Sequence, residues 1–305
     1  MRHFLRLSEL APRDFHDLFE LSAHIKARPA RYRSSLRDRT VALIFQKPST
    51  RTRVSFEAGI RQMGGSSLYL APNDLQLGRG ETVSDTARVL SRFVDAVVGR
   101  VFDQEDLEEM ARSGSVPVIN GLSNAFHPCQ ALSDYFTLLE KKGTLKGLKL
   151  AYVGDGNNVA HSLIEGGAKL GVNVAVATPS GYEPDRQLVA EARAAARRTG
   201  ARIEVMEDPR KAVRGADAVY TDVWTSMGQE AEEQKRRLVF QSYQVSERLF
   251  HSAKPDAVFM HCLPAHRGDE VASEVMDSPR SVVFDQAENR LYTQKAILHR
   301  LLERR

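Results

Sequence analysis

Two arginines and three hydroxyl side chains fall within five consecutive residues, Ser49-Thr50-Arg51-Thr52-Arg53, directly after Lys47-Pro48. The apolar run Val41-Ala42-Leu43-Ile44-Phe45 precedes them, and Phe56, Ile60 and Met63 recur behind them at helical spacing. The pattern is a strand, a turn and a helix start. A helix N-terminus presents unpaired N–H groups and partial positive charge, so it attracts anions. Ser49 or Thr50 could serve only as an N-cap, and the arginines only as solvated first-turn residues. Cations in a first turn oppose the helix macrodipole, however, and two of them there are unfavourable unless an anion compensates. The stretch therefore reads as a phosphate cradle.

Three further clusters carry chemistry. In His127-Pro128-Cys129-Gln130 the proline suits a first helical turn, the histidine can donate to a developing oxyanion, and the glutamine can donate and accept. Gly154-Asp155-Gly156-Asn157-Asn158-Val159 resembles a dinucleotide turn, but Val159 replaces its third glycine. The following strand ends at Thr178-Pro179 without an acidic residue for a ribose, which argues against a nicotinamide site. The asparagines could instead hold a small zwitterion, or simply cap a helix. His261-Cys262-Leu263-Pro264, taken with His127 and Cys129, supplies two histidines and two cysteines. Neither pair has zinc-finger spacing, so no metal is expected, and the sequence alone places no base beside Cys262.

The elements that must position these clusters alternate along the chain. Strands are expected at 40–45, 66–70, 96–101, 116–120, 149–153, 172–177, 202–206, 218–221, 257–261 and 282–284. Helices are expected at 10–25, behind the cradle, from Thr82, at 103–113, 128–142, 158–170, 185–199 and 287–302. Such alternation implies parallel α/β sheets. The fold class expected is α/β, with two doubly wound parallel-sheet domains, because 305 residues accommodate two units of ordinary size. In that class ligands bind at the carboxyl ends of strands, where the clusters lie, and a cleft between the domains would gather them. The boundaries expected are 1–135 plus 287–305 for one domain and 136–286 for the other.

Composition excludes several classes. A hydrophobic content of 42% with 27% charged residues and a net charge of +4 describes a globular chain without the basic run of a nucleic-acid binder. Two cysteines are too few for a disulfide framework, and no apolar run reaches membrane-spanning length. The expectation is a cytoplasmic protein with no nucleic-acid or membrane partner.

Together, Ser49-Thr50-Arg51-Thr52-Arg53, His127-Pro128-Cys129-Gln130, Asp155-Gly156-Asn157-Asn158, Ser226-Met227-Gly228 and His261-Cys262-Leu263-Pro264 resemble, in order and over nearly the whole chain, the motif set of the aspartate/ornithine carbamoyltransferase family. Asp222 with Ser226-Met227-Gly228, and the His-Cys-Leu-Pro turn, resemble its ornithine branch. The resemblance implies that Ser49, Thr50, Arg51 and Thr52 hold the phosphate of carbamoyl phosphate, while Arg100, His127 and Gln130 bind its carbamoyl end. It further implies that Gln76 reaches a neighbouring subunit's site and that Asn158, Asp222, Ser226 and Met227 hold the amino-acid groups of L-ornithine. Cys262 and Leu263 would line the place where the δ-amine meets the carbamoyl carbon, with Arg290 completing the carbamoyl phosphate site. Thr52, Arg100, His127 and Cys262 would be the catalytic residues.

A homotrimer with sites shared between subunits, no cofactor and a C-terminal helix returning to the first domain are also implied. The segment Gly78-Arg79-Gly80-Glu81 matches the family pattern least, and no role is assigned to Arg79; Arg53 is left to structure or a subunit contact. The chemistry agrees with this resemblance. Amine attack on carbamoyl phosphate builds charge on a carbonyl oxygen that hydroxyl, guanidinium and imidazole donors stabilise, and the leaving phosphate can itself take a proton. The competing readings are a carbamoyltransferase for putrescine or an acylated ornithine, a nucleotide-dependent oxidoreductase, and a non-catalytic anion or amino-acid sensor.

Overall fold

Apolar strands followed by amphipathic helices assemble here into two parallel sheets. The structure is a computed structural model and describes residues 1–75, 80–225 and 230–303. The chain divides into two compact units, residues 1–132 with 290–305, and residues 133–289.

In the first unit, α1 (Pro12–Ala27), β1 (Thr40–Phe45), α2 (Thr50–Gln62), β2 (Ser66–Leu70), α3 (Val83–Leu90), β3 (Ala96–Arg100), α4 (Gln104–Ser113) and β4 (Val118–Leu122) follow in turn. The strands form one parallel sheet in the order β2-β1-β3-β4. Residues 41–45 of β1 are all buried, as expected for a strand covered on both faces. The alternation breaks where the order reverses, between β1 and β3, and the carboxyl ends of those two strands lead into the cradle and end at Arg100. That is the switch point at which doubly wound sheets bind ligands. Helix α3 starts as its sequence indicates, with Thr82 Oγ1 accepting the Asp85 N–H at 3.0 Å.

Helix α5 (Pro128–Lys142) carries the chain into the second unit. There β5 (Lys149–Val153), α6 (Asn158–Leu170), β6 (Asn173–Ala177), α7 (Arg186–Ala196), β7 (Ile203–Met206), α8 (Pro209–Val213), β8 (Ala218–Thr221), α9 (Glu233–Phe240), α10 (Glu247–Phe250), β9 (Val258–His261) and α11 (Ser273–Met276) follow. The sheet order is β7-β6-β5-β8-β9, all parallel, so its switch point lies between β5 and β8. The turn at 154–158 leaves one of these strands and Asp222 leaves the other. The last helix, α12 (Val283–Leu302), begins in the second unit and ends in the first, where Ile297, Leu298 and Leu302 are buried.

One expected strand does not form. Val282 precedes α12 and Val283 and Phe284 open it, and beside them Phe259 and Ser281 form an isolated bridge. A short apolar run carries no period of its own, so Val282, Val283 and Phe284 read equally as strand or helix start. The short helices α8, α10 and α11 are not apparent in the sequence, because four or five residues cannot develop a full amphipathic repeat.

Candidate active site

Ser49 is the N-cap of α2, and its Oγ accepts the Thr52 N–H at 3.3 Å. Its hydroxyl is thus occupied locally. Thr50 and Arg51 are the first two residues of α2, in the turn that precedes the intrahelical hydrogen-bond pattern. Thr52 is buried, and its Oγ1 accepts from Arg290 Nη2 at 2.8 Å across 238 positions of sequence. Arg53 turns aside: its Nε lies 3.1 Å from Glu57 Oε1, and its guanidinium sits 3.6 Å over the Tyr69 ring. Both cradle arginines are exposed, and Arg51 is the one whose charge acts on His127.

Arg100 ends β3, and His127 immediately precedes α5, its carbonyl accepting the N–H groups of Gln130 and Ala131. Arg100, His127, Gln130 and Arg290 are all buried. Burial pushes the His127 imidazole well below its ordinary pKa, and the positive charges of Arg290, Arg100 and Arg51 push it the same way. Three guanidinium groups thus direct their field at one imidazole. This arrangement favours a neutral histidine that donates a hydrogen bond, and it favours an anion among the arginines.

The turn carrying His127 is held from behind. Gln104 Oε1 accepts from Asn120 Nδ2 at 3.0 Å and from Ser123 Oγ at 2.8 Å, and Ser123 Oγ accepts the Phe126 N–H at 3.0 Å. Cys129 donates to the Asn120 carbonyl at 3.2 Å, and burial pushes its thiol up to about 12. A thiol so disposed is a poor nucleophile and a poor metal ligand.

In the second unit Asn157 caps α6, its Oδ1 accepting from the Val159 and Ala160 N–H groups at 2.9 and 3.2 Å. Its Nδ2 donates to Asp222 Oδ2 at 2.8 Å. The other oxygen of Asp222 accepts the Val223 N–H at 2.8 Å and the Cys262 thiol at 2.9 Å. A buried carboxylate is thus oriented from two sides and tied to Cys262, while Asn158, the first residue of α6, is half-buried beside the same turn. Gly156 permits this turn: a Cβ there would lie 2.3 Å from the Pro184 nitrogen and 2.6 Å from the Tyr182 carbonyl oxygen.

Leu263 adopts a left-handed backbone at φ 60°, costly for a branched side chain and found where the surroundings enforce it. The enforcement comes from His261, whose Nδ1 accepts the Leu263 N–H at 2.8 Å while its Nε2 lies 3.3 Å from Glu270 Oε1. Glu270 is fully enclosed. Burial alone would raise its carboxyl pKa, but the His261 ring and the His266 N–H outweigh that effect and bring it below the usual range. Asp222, His261 and Cys262 bring one metal-binding atom each within 4.8 Å of one another, although the contacts just described already engage these groups.

Thr52, Arg100, His127, Gln130 and Arg290 therefore share the first unit, and Asn158, Asp222, Cys262 and Leu263 the second. Gln76, Ser226 and Met227, like Arg79, lie outside the described residues. Two contributions are not legible in the sequence. For Asn157 the sequence offers a zwitterion contact or a helix cap, and the structure shows the cap together with a bond to Asp222 that the sequence does not indicate. Glu270 carries no sequence signal, since its link to His261 spans a loop.

Residues 2–140 match the family model described as Aspartate/ornithine carbamoyltransferase, carbamoyl-P binding domain, and residues 146–301 match that described as Aspartate/ornithine carbamoyltransferase, Asp/Orn binding domain. The chain belongs to the aspartate/ornithine carbamoyltransferase family. Among its relatives in the family, the ornithine carbamoyltransferase of Thermococcus kodakarensis is 62% identical over 263 residues, 86% of this chain and 84% of that one. The ornithine carbamoyltransferase of Pyrococcus abyssi is 56% identical over 99% of this chain and 96% of its own. Among solved structures, the anabolic ornithine carbamoyltransferase of Campylobacter jejuni superposes with a TM-score of 0.95 at 40% identity, covering 100% of both chains. The Pyrococcus furiosus ornithine carbamoyltransferase gives 0.94 at 56% identity, covering 97% of this chain and 96% of that one.

Proposed function

We infer that this chain transfers the carbamoyl group of carbamoyl phosphate to the δ-amine of L-ornithine, giving L-citrulline and phosphate in the biosynthesis of arginine. The observation that carries the choice of ornithine is the pairing of Asp222 with the Cys262 thiol at the ends of β8 and β9, residues that an aspartate-specific relative would be expected to lack. The names of the full-length relatives support the same reading.

Carbamoyl phosphate binds the first unit through the α2 N-terminus, with Ser49, Thr50, Arg51 and Thr52 about its phosphate and Gln76 contributed by a neighbouring subunit. Arg100, His127, Gln130 and Arg290 hold the carbamoyl end. Ornithine binds the second unit through Asn158, Asp222, Ser226 and Met227, with Cys262 and Leu263 at the δ-amine. The corresponding domains are 1–135 with 287–305, and 136–286.

Attack by the neutral amine forms the C–N bond and moves charge onto the carbonyl oxygen, where Thr52, Arg100 and neutral His127 donate to it. The C–O bond to phosphate then breaks, the electron pair leaves with the phosphate, and the amine proton follows it. Gathering two substrates supplies much of the remaining acceleration.

The working assembly is a homotrimer in the cytoplasm. Apolar side chains left exposed in the first unit, including Val54, Leu68 and Phe93, offer surface for assembly, and the two free cysteines suit a reducing compartment. Phosphate release, followed with carbamoyl phosphate and a panel of amines, tests the function. Release with ornithine is expected; release with putrescine and none with ornithine would defeat the specificity while leaving the reaction class intact.

A further inference from the structure

We propose that Gln286 is a positioning residue for the transfer reaction, holding the His261-Cys262-Leu263 turn in place, and that Asp134 fixes the amide that does so. The proposal rests on the reading that this turn lines the ornithine site. β9 is an edge strand of its sheet, so its outward N–H groups have no neighbouring strand to bond. Phe259 N finds the Arg280 carbonyl at 2.8 Å. The next outward group, two residues on, is His261 N, and there the chain running alongside has already turned into α12. Gln286, in the first turn of that helix, substitutes a side chain for the missing strand: its Oε1 accepts the His261 N–H at 3.0 Å. The residue that follows is Cys262.

The orientation of the amide is dictated by its partners. A backbone N–H only donates, so the carboxamide oxygen must face His261, and the NH2 group must then find acceptors. It donates to Asp134 Oδ1 at 2.7 Å and reaches the Tyr220 hydroxyl at 3.2 Å. Asp134 is fully buried on α5, and as a carboxylate it accepts only, so a flipped amide would face a donor with a donor and an acceptor with an acceptor. Ser133 Oγ also donates to the Gln286 carbonyl at 3.2 Å. One side chain thus joins α5, β8, β9 and α12 at the base of the turn that brings the Cys262 thiol to Asp222. Loss of that anchor lets the turn shift, and displacements on the order of 1 Å at a reacting centre cost roughly 100-fold in rate.

The test compares Gln286→Leu, Gln286→Glu and the double variant Gln286→Glu/Asp134→Asn in the full-length enzyme. Gln286→Glu keeps the acceptor for His261 but sets two carboxylates together; the added Asp134→Asn restores a donor–acceptor pair with its polarity exchanged. Each single variant is expected to lower kcat roughly 10- to 100-fold and to raise the KM for ornithine. The dissociation constant of carbamoyl phosphate, measured calorimetrically without ornithine, should move by less than about twofold. The double variant should recover to within about fivefold of the parent kcat. Unchanged kcat and ornithine KM in Gln286→Leu, with only a lower melting temperature, would overturn the proposal. Should that variant fail to fold, a double variant no better than Gln286→Glu alone overturns it as well. Cys262→Ser separates the two levels: full activity in that variant defeats the reading of the site itself, whereas its loss beside fully active Gln286 variants defeats only the positioning role.

Discussion

His127 lies where burial and the charges of Arg290, Arg100 and Arg51 all disfavour its protonated form. Its native pKa falls below the ordinary 6.5, so between those two values the unfolded chain binds a proton that the native chain refuses. Stability contributed by this group is therefore present above about pH 6.5 and declines as pH falls toward the native pKa. Urea unfolding at stepped pH should show that decline flattened in His127→Gln, and the imidazole resonances of His127 should not titrate between pH 6.5 and 8. Arg51 and Asp222 provide a crossed comparison. Arg51→Ala should weaken carbamoyl phosphate binding by roughly 1.5–3 kcal/mol, the worth of one charge-assisted contact. Asp222→Asn should raise the KM for ornithine much more than it alters carbamoyl phosphate binding. Steady-state kinetics with each substrate varied, together with direct titration of carbamoyl phosphate, would reveal equal effects on both ligands if the subsites are not separate.

Two helix starts act at the scale of elements, and each does more than begin a helix. Ser49 spends its hydroxyl on the Thr52 N–H, which presents the rest of the first turn of α2. Asn157 caps α6 with its oxygen and braces Asp222 with its nitrogen. Because one side chain performs both tasks, Asn157→Ala should cost about 1 kcal/mol of stability as a lost cap and, separately, raise the ornithine KM. Asn157→Asp keeps the cap but places a carboxylate against Asp222, so it should retain stability better than it retains ornithine affinity. Thermal melts set beside kinetics distinguish the two losses. Strands β1, β5 and β8, and helices α5 and α6, lie at the residues their apolar runs and caps indicate, because those signals are local. The expected strand at 282–284 gave way to the start of α12 at Val283, because a three-residue apolar run has no period to read.

Across the whole molecule, each of two parallel sheets has a point where strand order reverses, and the residues proposed for catalysis and binding lie near those points. A trimer would appear in light scattering at about three times the 34.0 kDa of one chain; a monomer that is fully active would remove the role proposed for a neighbour's Gln76. The amino-acid sequence by itself determined the alternation of strand and helix, the placement of Arg51, Arg100, His127 and Asp222 near strand ends, and the family to which the chain belongs. Each of these rests on composition, period or motif, which are properties of neighbouring residues. Tertiary structure alone decided that Arg290 meets Thr52, that Arg53 is committed to Glu57 and Tyr69, that Glu270 stands behind His261, and that Gln286 bonds the backbone ahead of Cys262. Apart from the Arg53–Glu57 pair, these contacts join residues separated by anything from 9 positions to 238. Sheet order and helix packing set such distances, and no local pattern along the chain encodes them.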